Sequence, residues 1–248
     1  MKYLKLFDTE SAYKAYRDGG GYIQPNVSLS IDPNNIHYNL NANGHPYVDL
    51  GLPSGTLWAK CNVGASEASE AGLYFQWGDT QGYTAEQVGT GEGQKKFASD
   101  WSDYKWRLSG DSWSSIVFKK YTTKGAKLEL EDDAAHVNMG GDWHMPTPTQ
   151  IQELLDNTTT AWTTSDSVSG LTFTSKKDTS KSIFFPAAGE PTDGSVFDSG
   201  DVGIVWSSVL NTNDVNEGQE LFFVSEDAVL GSGCAPRFSG VSVRGVIG

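Results

Sequence analysis

The stretch Gly203-Ile204-Val205-Trp206-Ser207-Ser208, together with its distant counterpart Arg237-Phe238-Ser239-Gly240-Val241-Ser242-Val243-Arg244, decides how this chain is read. Between these two aromatic and arginine anchors lie a polar loop (Asn211 to Gln219), a short apolar run (Leu221 to Val224) and a loop of small residues (Ala228 to Pro236). Anchors that bracket segments of little intrinsic structure read as a rigid frame carrying a surface. From Ala228 to Val241 the segment contains no Lys, Glu, Gln or Met. That is unusual for a solvent-facing loop in an acidic protein, and Val209, Leu210 and Leu230 add apolar side chains at loop positions. Exposed apolar atoms grouped together mark contact surfaces.

The rest of the composition limits the alternatives. A chain of 248 residues is long enough to bury a large core. Its eight Trp, eleven Phe and ten Tyr, set among 28 Gly, predict large rings packed between tight turns. That pattern indicates a loop-rich α+β or β fold rather than a helical bundle. A net charge of -13 argues against nucleic acid, whose phosphates require a basic face, and against anionic lipid. The two cysteines, Cys61 and Cys234, supply neither a disulfide scaffold nor a CxxC metal site. No run is apolar enough to span a bilayer, and Asp8, Glu10, Lys14, Arg17 and Asp18 interrupt any secretory signal in the first twenty residues.

Residues 1–43 read as a leader: a strand at Tyr3 to Phe7, a helix capped by Thr9, and turns at Pro25 and Asp32-Pro33. The leader is too small for its own core and is expected to pack on the main domain or on a neighbouring subunit. The main domain, residues 44–248, begins with strands at Tyr47 to Leu50 and Thr56 to Cys61 and a third at Gly72 to Gly78. Val88 to Gln94 is expected to be a mobile loop. One helix is expected over Leu130 to Asn138, ended by Gly140-Gly141. A second follows Thr147-Pro148-Thr149-Gln150, a capping box with Pro at the first helical position, and buries Ile151, Leu154 and Leu155. Strands at Gly170 to Thr174 and Ser182 to Phe185 lead into the terminal stretch.

Catalytic and metal-binding patterns are weak. Asp132 and His136 are expected to form a surface pair at i and i+4. Glu131-Asp132-Asp133 complements a helix dipole better than it resembles an EF-hand, because the alternation of oxygen donors is missing. Asp193, Asp198 and Asp201 form a weak candidate cation site. Ser207 lacks a nucleophile elbow, and Cys61 reads as an inert thiol within an apolar strand. No metal and no cofactor is expected.

Several segments resemble one family. Val48-Asp49-Leu50-Gly51-Leu52-Pro53-Ser54-Gly55-Thr56-Leu57-Trp58-Ala59, Cys61-Asn62-Val63-Gly64-Ala65 and Tyr74-Phe75-Gln76-Trp77-Gly78-Asp79-Thr80 resemble the Fibrobacter-type major paralogous domain. So do Leu130 to Ala135, Gly140-Gly141-Asp142-Trp143-His144-Met145-Pro146-Thr147, Phe185 to Gly189, Trp206-Ser207-Ser208 and Ser242-Val243-Arg244. The resemblance covers about Tyr47 to Gly248. It implies an α+β, C-type-lectin-like fold with two short helices packed on antiparallel sheets, and a frame of buried Trp58, Trp77, Trp143 and Trp206. The same fold serves as the variable protein of diversity-generating retroelements, in which adenine-containing codons near the C-terminus are rewritten.

The departures from the family pattern lie where such rewriting would act: in place of Tyr- and Asn-rich text stand residues that adenine changes in TAC or AAC codons can reach. The resemblance therefore implies a non-enzymatic protein that displays a hypervariable surface to a receptor, either a protein or a glycan on a bacterial cell. The expected contact residues are Ile204, Val209, Leu210, Asn211, Asn213, Ala228, Leu230, Gly231, Ser232, Cys234, Ala235, Phe238, Ser239 and Val241. A homo-oligomer would add avidity. Lys5-Leu6-Phe7 and Leu29 to Tyr38 resemble leaders of gut-phage structural proteins. This implies a virion or extracellular-surface location without a classical signal peptide, and no insertion into the membrane. Three rivals remain at this level: a generic adhesin, a calcium-dependent sugar lectin, whose motifs Glu190-Pro191-Thr192 echoes poorly, and a formylglycine-generating-like oxidase, which would need Cys61 and Cys234 together.

Overall fold

The computed structural model describes residues 30–32, 35–39, 41–231 and 235–248. The strand and helix expected within the first twenty residues lie outside these. Two short strands, β1 (Ser30–Asp32) and β2 (Asn35–Asn39), form their own antiparallel pair. β3 (Asn41–Ala42) then turns at Asn43-Gly44 into β4 (His45–Val48), which pairs with β5 (Leu57–Ala59). Trp143 Nε1 donates to the Ala42 carbonyl at 2.9 Å, so this turn belongs with the main body.

β6 (Tyr74–Phe75) follows, and then a hairpin of β7 (Arg107–Ser109) and β8 (Val117–Phe118). The helix expected over Leu130 to Asn138 is divided. A 3-10 turn (Leu130–Asp132) precedes α1 (Ala134–Met139), because Asp133 takes an extended backbone and caps α1, accepting the His136 amide at 2.9 Å. The expected stop is present, with Gly140 at φ 70°. α2 (Pro148–Asn157) starts at the predicted capping box and buries Ile151 and Leu154.

α2 runs directly into β9 (Thr158–Ser165), a strand the sequence reading passed over. A turn at Asp166 and Ser167, with φ of 48° and 70°, returns the chain as β10 (Val168–Ser175), and β11 (Ser182–Pro186) completes the sheet β11-β10-β9. β12 (Glu190–Thr192) and β13 (Ser195–Phe197) form a small hairpin. The terminal stretch supplies β14 (Gly203–Leu210), β15 (Gly218–Phe223), β16 (Ala228–Leu230), β17 (Val241–Ser242) and β18 (Val246–Ile247).

The architecture is α+β, with short helices on mostly antiparallel sheets. The central sheet has the order β16-β15-β14-β17-β6, so four of its five strands come from the terminal stretch. Only the β14–β17 pairing in it is parallel. β18 instead joins β5, in the sheet β18-β5-β4-β3. Alternation along β14 separates two cores. Ile204, Trp206 and Leu210 face Trp77, Trp143 and Met139, whereas Val205 faces the side of Ile151, Phe173, Phe185 and Phe223. The four expected frame tryptophans, Trp58, Trp77, Trp143 and Trp206, are each 0% exposed. Gly203 is required on β14, since a Cβ there would lie 1.9 Å from the Phe223 ring.

Thr147→Ala removes the hydroxyl that accepts the Gln150 amide at 3.3 Å. It is expected to lower unfolding stability by about 1 kcal/mol in urea titration, with an unchanged m-value.

Candidate functional site

The terminal stretch is held by two buried arginines. Arg244 donates from Nε to Asn62 Oδ1 at 2.8 Å and from its terminal nitrogens to the carbonyls of Ala59, Lys60 and Phe184, with its guanidinium 4.3 Å from the Phe185 ring centre. Arg237 donates from Nε to the Tyr104 hydroxyl at 2.8 Å and from its terminal nitrogens to the carbonyls of Tyr121, Val215 and Lys120. Its guanidinium lies over Phe118 at 4.0 Å and Trp77 at 5.1 Å. Both side chains are 0% exposed. Burial pulls both pKa values below the ordinary arginine range. Removing a cation from water costs several kcal/mol, so each charge requires a full set of acceptors and aromatic faces, which these positions supply.

Arg237 lies under the loop 211–217, and that loop is more ordered than its polar composition predicts. Asn211 Oδ1 accepts the Asn213 amide at 2.8 Å, and Asp214 Oδ1 accepts the Asn216 amide at 2.9 Å, forming two successive side-chain turns. Asn211 Nδ2 closes the loop on Glu217 Oε2 at 2.7 Å. The flanks are fastened as well. Gly125 donates to the Asn211 carbonyl at 3.1 Å and Arg237 to the Asn216 carbonyl at 3.0 Å. Gly218 donates to the Ala235 carbonyl at 3.0 Å, and Ala235 donates to the buried Glu220 carboxylate at 3.2 Å.

Against this frame the expected contact residues separate. Ile204, Leu210 and Val241 are core residues, at 7%, 0% and 0% exposure, and Ser239 is buried at 5%. The expectation that they face a ligand is corrected: β14 and β17 are interior strands whose apolar side chains fill the cores, and Ser239, in the turn before β17, hydrogen-bonds the Glu190 side chain. Asn211 is also buried, and its amide holds the loop rather than meeting solvent. Val209 and Phe238 are half-buried, and Asn213 is exposed together with its neighbour Thr212. Ala228, Leu230 and Gly231 are half-buried at the β16 edge, where Leu230 lines an open groove with Pro148, Gln152 and Glu153 of α2. Ser232 and Cys234 lie outside the described residues.

The remaining residues do not form one patch. Leu230 pairs with Leu221 on the α2 side of the central sheet. Phe238 packs edge-on against Trp101 at 4.8 Å, in a cluster that adjoins the opposite core through Trp106 and Val215. The loop 211–217 carries the exposed Thr212 and Asn213, with the half-buried Val209, Ala235 and Phe238 on the segments that flank it or are bonded to it, whereas Ala228 and Leu230 belong to a separate edge. The sequence reading missed Trp113 beside the loop 211–217. Its ring is 43% exposed, and its Nε1 donates to Asp214 Oδ2 at 2.9 Å. The only signal for it in the sequence was an aromatic residue set within a serine-rich turn.

Asp132 does not pair with His136. It is buried and bound by Lys120 Nζ at 2.6 Å and the Tyr121 hydroxyl at 2.8 Å, while His136 Nδ1 meets the Trp143 carbonyl at 3.0 Å. Glu129, Glu131 and Asp132 bring carboxylates within 4.8 Å of one another. Lys120 Nζ lies at 2.6, 3.1 and 2.6 Å from them, so an ammonium already occupies the place between the three carboxylates. Asp193 is engaged by Lys96 at 3.1 Å and Ser99 at 2.7 Å. Cys61 is buried beside the Ser66 carbonyl, and burial raises its pKa, which disfavours the reactive thiolate. The expected mobile loop at Val88 to Gln94 is tied down, because Gln94 Oε1 accepts the Gly91 amide at 3.0 Å and Gly89 donates to the Lys95 carbonyl at 3.0 Å. Among the described residues, no helix is long and apolar enough to cross a membrane. Comparison with family models, with curated proteins and with solved structures returns no match.

Burial raises the phenol pKa of Tyr104 and lifts Tyr74 and Tyr121 to about 12. These folded values lie above the unfolded value of about 10. The stability tied to these neutral phenols is therefore complete below pH ~10 and lost as the pH rises toward ~12. Ultraviolet titration is expected to show a group of tyrosines that ionise only as circular dichroism records unfolding.

Proposed function

We propose that this chain is a non-enzymatic binding protein of C-type-lectin-like fold that presents an exchangeable C-terminal surface to a protein or glycan on a bacterial cell. It would act as a retroelement-diversified variable protein carried by a phage. The observation that carries this reading is the loop face. The backbone of 211–217 and 235–238 is fixed from within by side-chain turns, by Glu220 and by Arg237. The side chains of Val209, Thr212, Asn213 and Phe238 retain access to solvent. A frame whose stability resides in buried groups tolerates exchange at its outer positions, as antibody loops do.

The surface proposed here is narrower than the one the sequence implied. It omits the core positions Ile204, Leu210, Ser239 and Val241, the structural Asn211, and the separate β16 edge. A surface of this kind reaches micromolar affinity with about -8 kcal/mol, and assembly into oligomers would multiply it.

The coding DNA supplies one test. A near-identical repeat of the terminal coding segment that differs only at adenines, next to a reverse transcriptase gene, is expected; its absence would remove the retroelement reading. Simultaneous exchange of Val209, Thr212 and Asn213 to other small residues and of Phe238 to Tyr, which keeps the ring against Trp101, should change unfolding stability by no more than ~2 kcal/mol. The same exchange should abolish adherence of the labelled protein to bacterial cells. Undiminished adherence would show that binding occurs elsewhere on the molecule.

A further inference from the structure

We propose that Trp113 is the stacking platform of a saccharide subsite, binding the apolar face of a neutral sugar ring beside the loop 211–217. This rests on the display function proposed above and names its ligand class. Trp113 caps the turn between β7 and β8, which is closed by a 2.7 Å contact between the hydroxyls of Ser112 and Ser115. Three constraints fix the ring despite its exposure. Nε1 is committed to Asp214 at 2.9 Å, the Trp113 carbonyl accepts Asn216 Nδ2 at 3.0 Å, and the ring lies 5.9 Å from buried Trp101. Trp101 also receives Phe238, so the platform and the exchangeable face share one aromatic support.

An exposed aromatic immobilised before binding loses little conformational freedom on association, which is how hot-spot rings gain their effect. With the indole N–H already bonded, the free part of the ring offers only apolar and π surface. Hydrogen bonding must come from the neighbouring loop, where Thr212 and Asn213 are exposed, and from Ser114, which follows Trp113 in the turn and is exposed too. One fixed ring bordered by small hydroxyl and amide groups matches a pyranose, which has a C–H face and a hydroxyl edge. The core of a protein interface is instead broader and depleted of Ser and Asp. Asp214 beside the ring and the net charge of -13 repel sialylated, sulfated or phosphorylated glycans, leaving neutral sugars.

The test uses the full chain on an array of neutral, sialylated and sulfated oligosaccharides, followed by fluorescence titration with any neutral sugar bound. The wild type is expected to bind neutral members only, with acrylamide quenching of an exposed indole reduced on binding. Trp113→Ala should weaken binding at least about tenfold in a chain whose circular dichroism shows that it remains folded. Trp113→Phe, which keeps a ring face, should weaken it less. Absence of neutral-sugar binding, unchanged quenching in the wild type, or full affinity in a folded Trp113→Ala chain would each overturn the subsite. Adherence to bacterial cells that survives periodate but not protease would identify a protein receptor, ending the saccharide inference while the display function stands. Absence of adherence by the wild type would end the display function itself.

Discussion

The structure depends on two buried guanidinium groups that meet no carboxylate among the described residues and are solvated instead by backbone carbonyls, a phenol, an amide and aromatic faces. Each arginine thereby specifies the path of distant segments. Arg244 gathers residues 59–62 and Phe184, and Arg237 gathers Tyr104, Lys120-Tyr121 and Val215. A carboxylate partner would neutralise the charge locally. Carbonyl acceptors drawn from several segments make the charge a junction, because any one segment that drifts away leaves a desolvated cation short of an acceptor.

This arrangement places the groups that hold the terminal stretch and the side chains that face solvent on different atoms. The arginines, the frame tryptophans and the Asn211–Glu217 clamp lie beneath the loop face, and the exposed side chains above them contribute little to holding it. The central sheet reinforces the separation. β14 is paired on both sides, so its alternating side chains are taken up by the two cores and only its final turn approaches solvent. Solvent-facing side chains of the terminal stretch are thereby concentrated in its loops, beside the Trp113 hairpin.

The frame was legible in the sequence wherever a local rule determined the outcome. The Thr147 capping box, the Gly140-Gly141 stop and the buried tryptophans each follow from one residue type in one context. β9 escaped because a Thr-rich strand joined to a helix without a loop offers no boundary residue, and its partner is fixed only by the turn at Asp166-Ser167. At the candidate site, chain order identified the right segment but not the direction of its side chains. Ile204, Leu210 and Val241 look like loop-surface residues when read in chain order, and only the packing of β14 and β17 against the Trp77 and Trp143 core shows them to be interior. Trp113 was legible only as an aromatic residue, because its position beside the terminal loop arises from contacts a hundred residues apart in the chain.

The sheet order also shapes how such a chain is made. β6 has its ladder partner in β17, and β5 is joined on one side by β18, both near the end of the sequence. Long-range closures of this kind form late and slowly, after loop entropy has been overcome. During synthesis the central sheet cannot assemble until the last strands leave the ribosome. A copy frame-shifted ahead of β14 would therefore lose four of the five strands of that sheet rather than merely its rim, so the central sheet stands or falls as a unit.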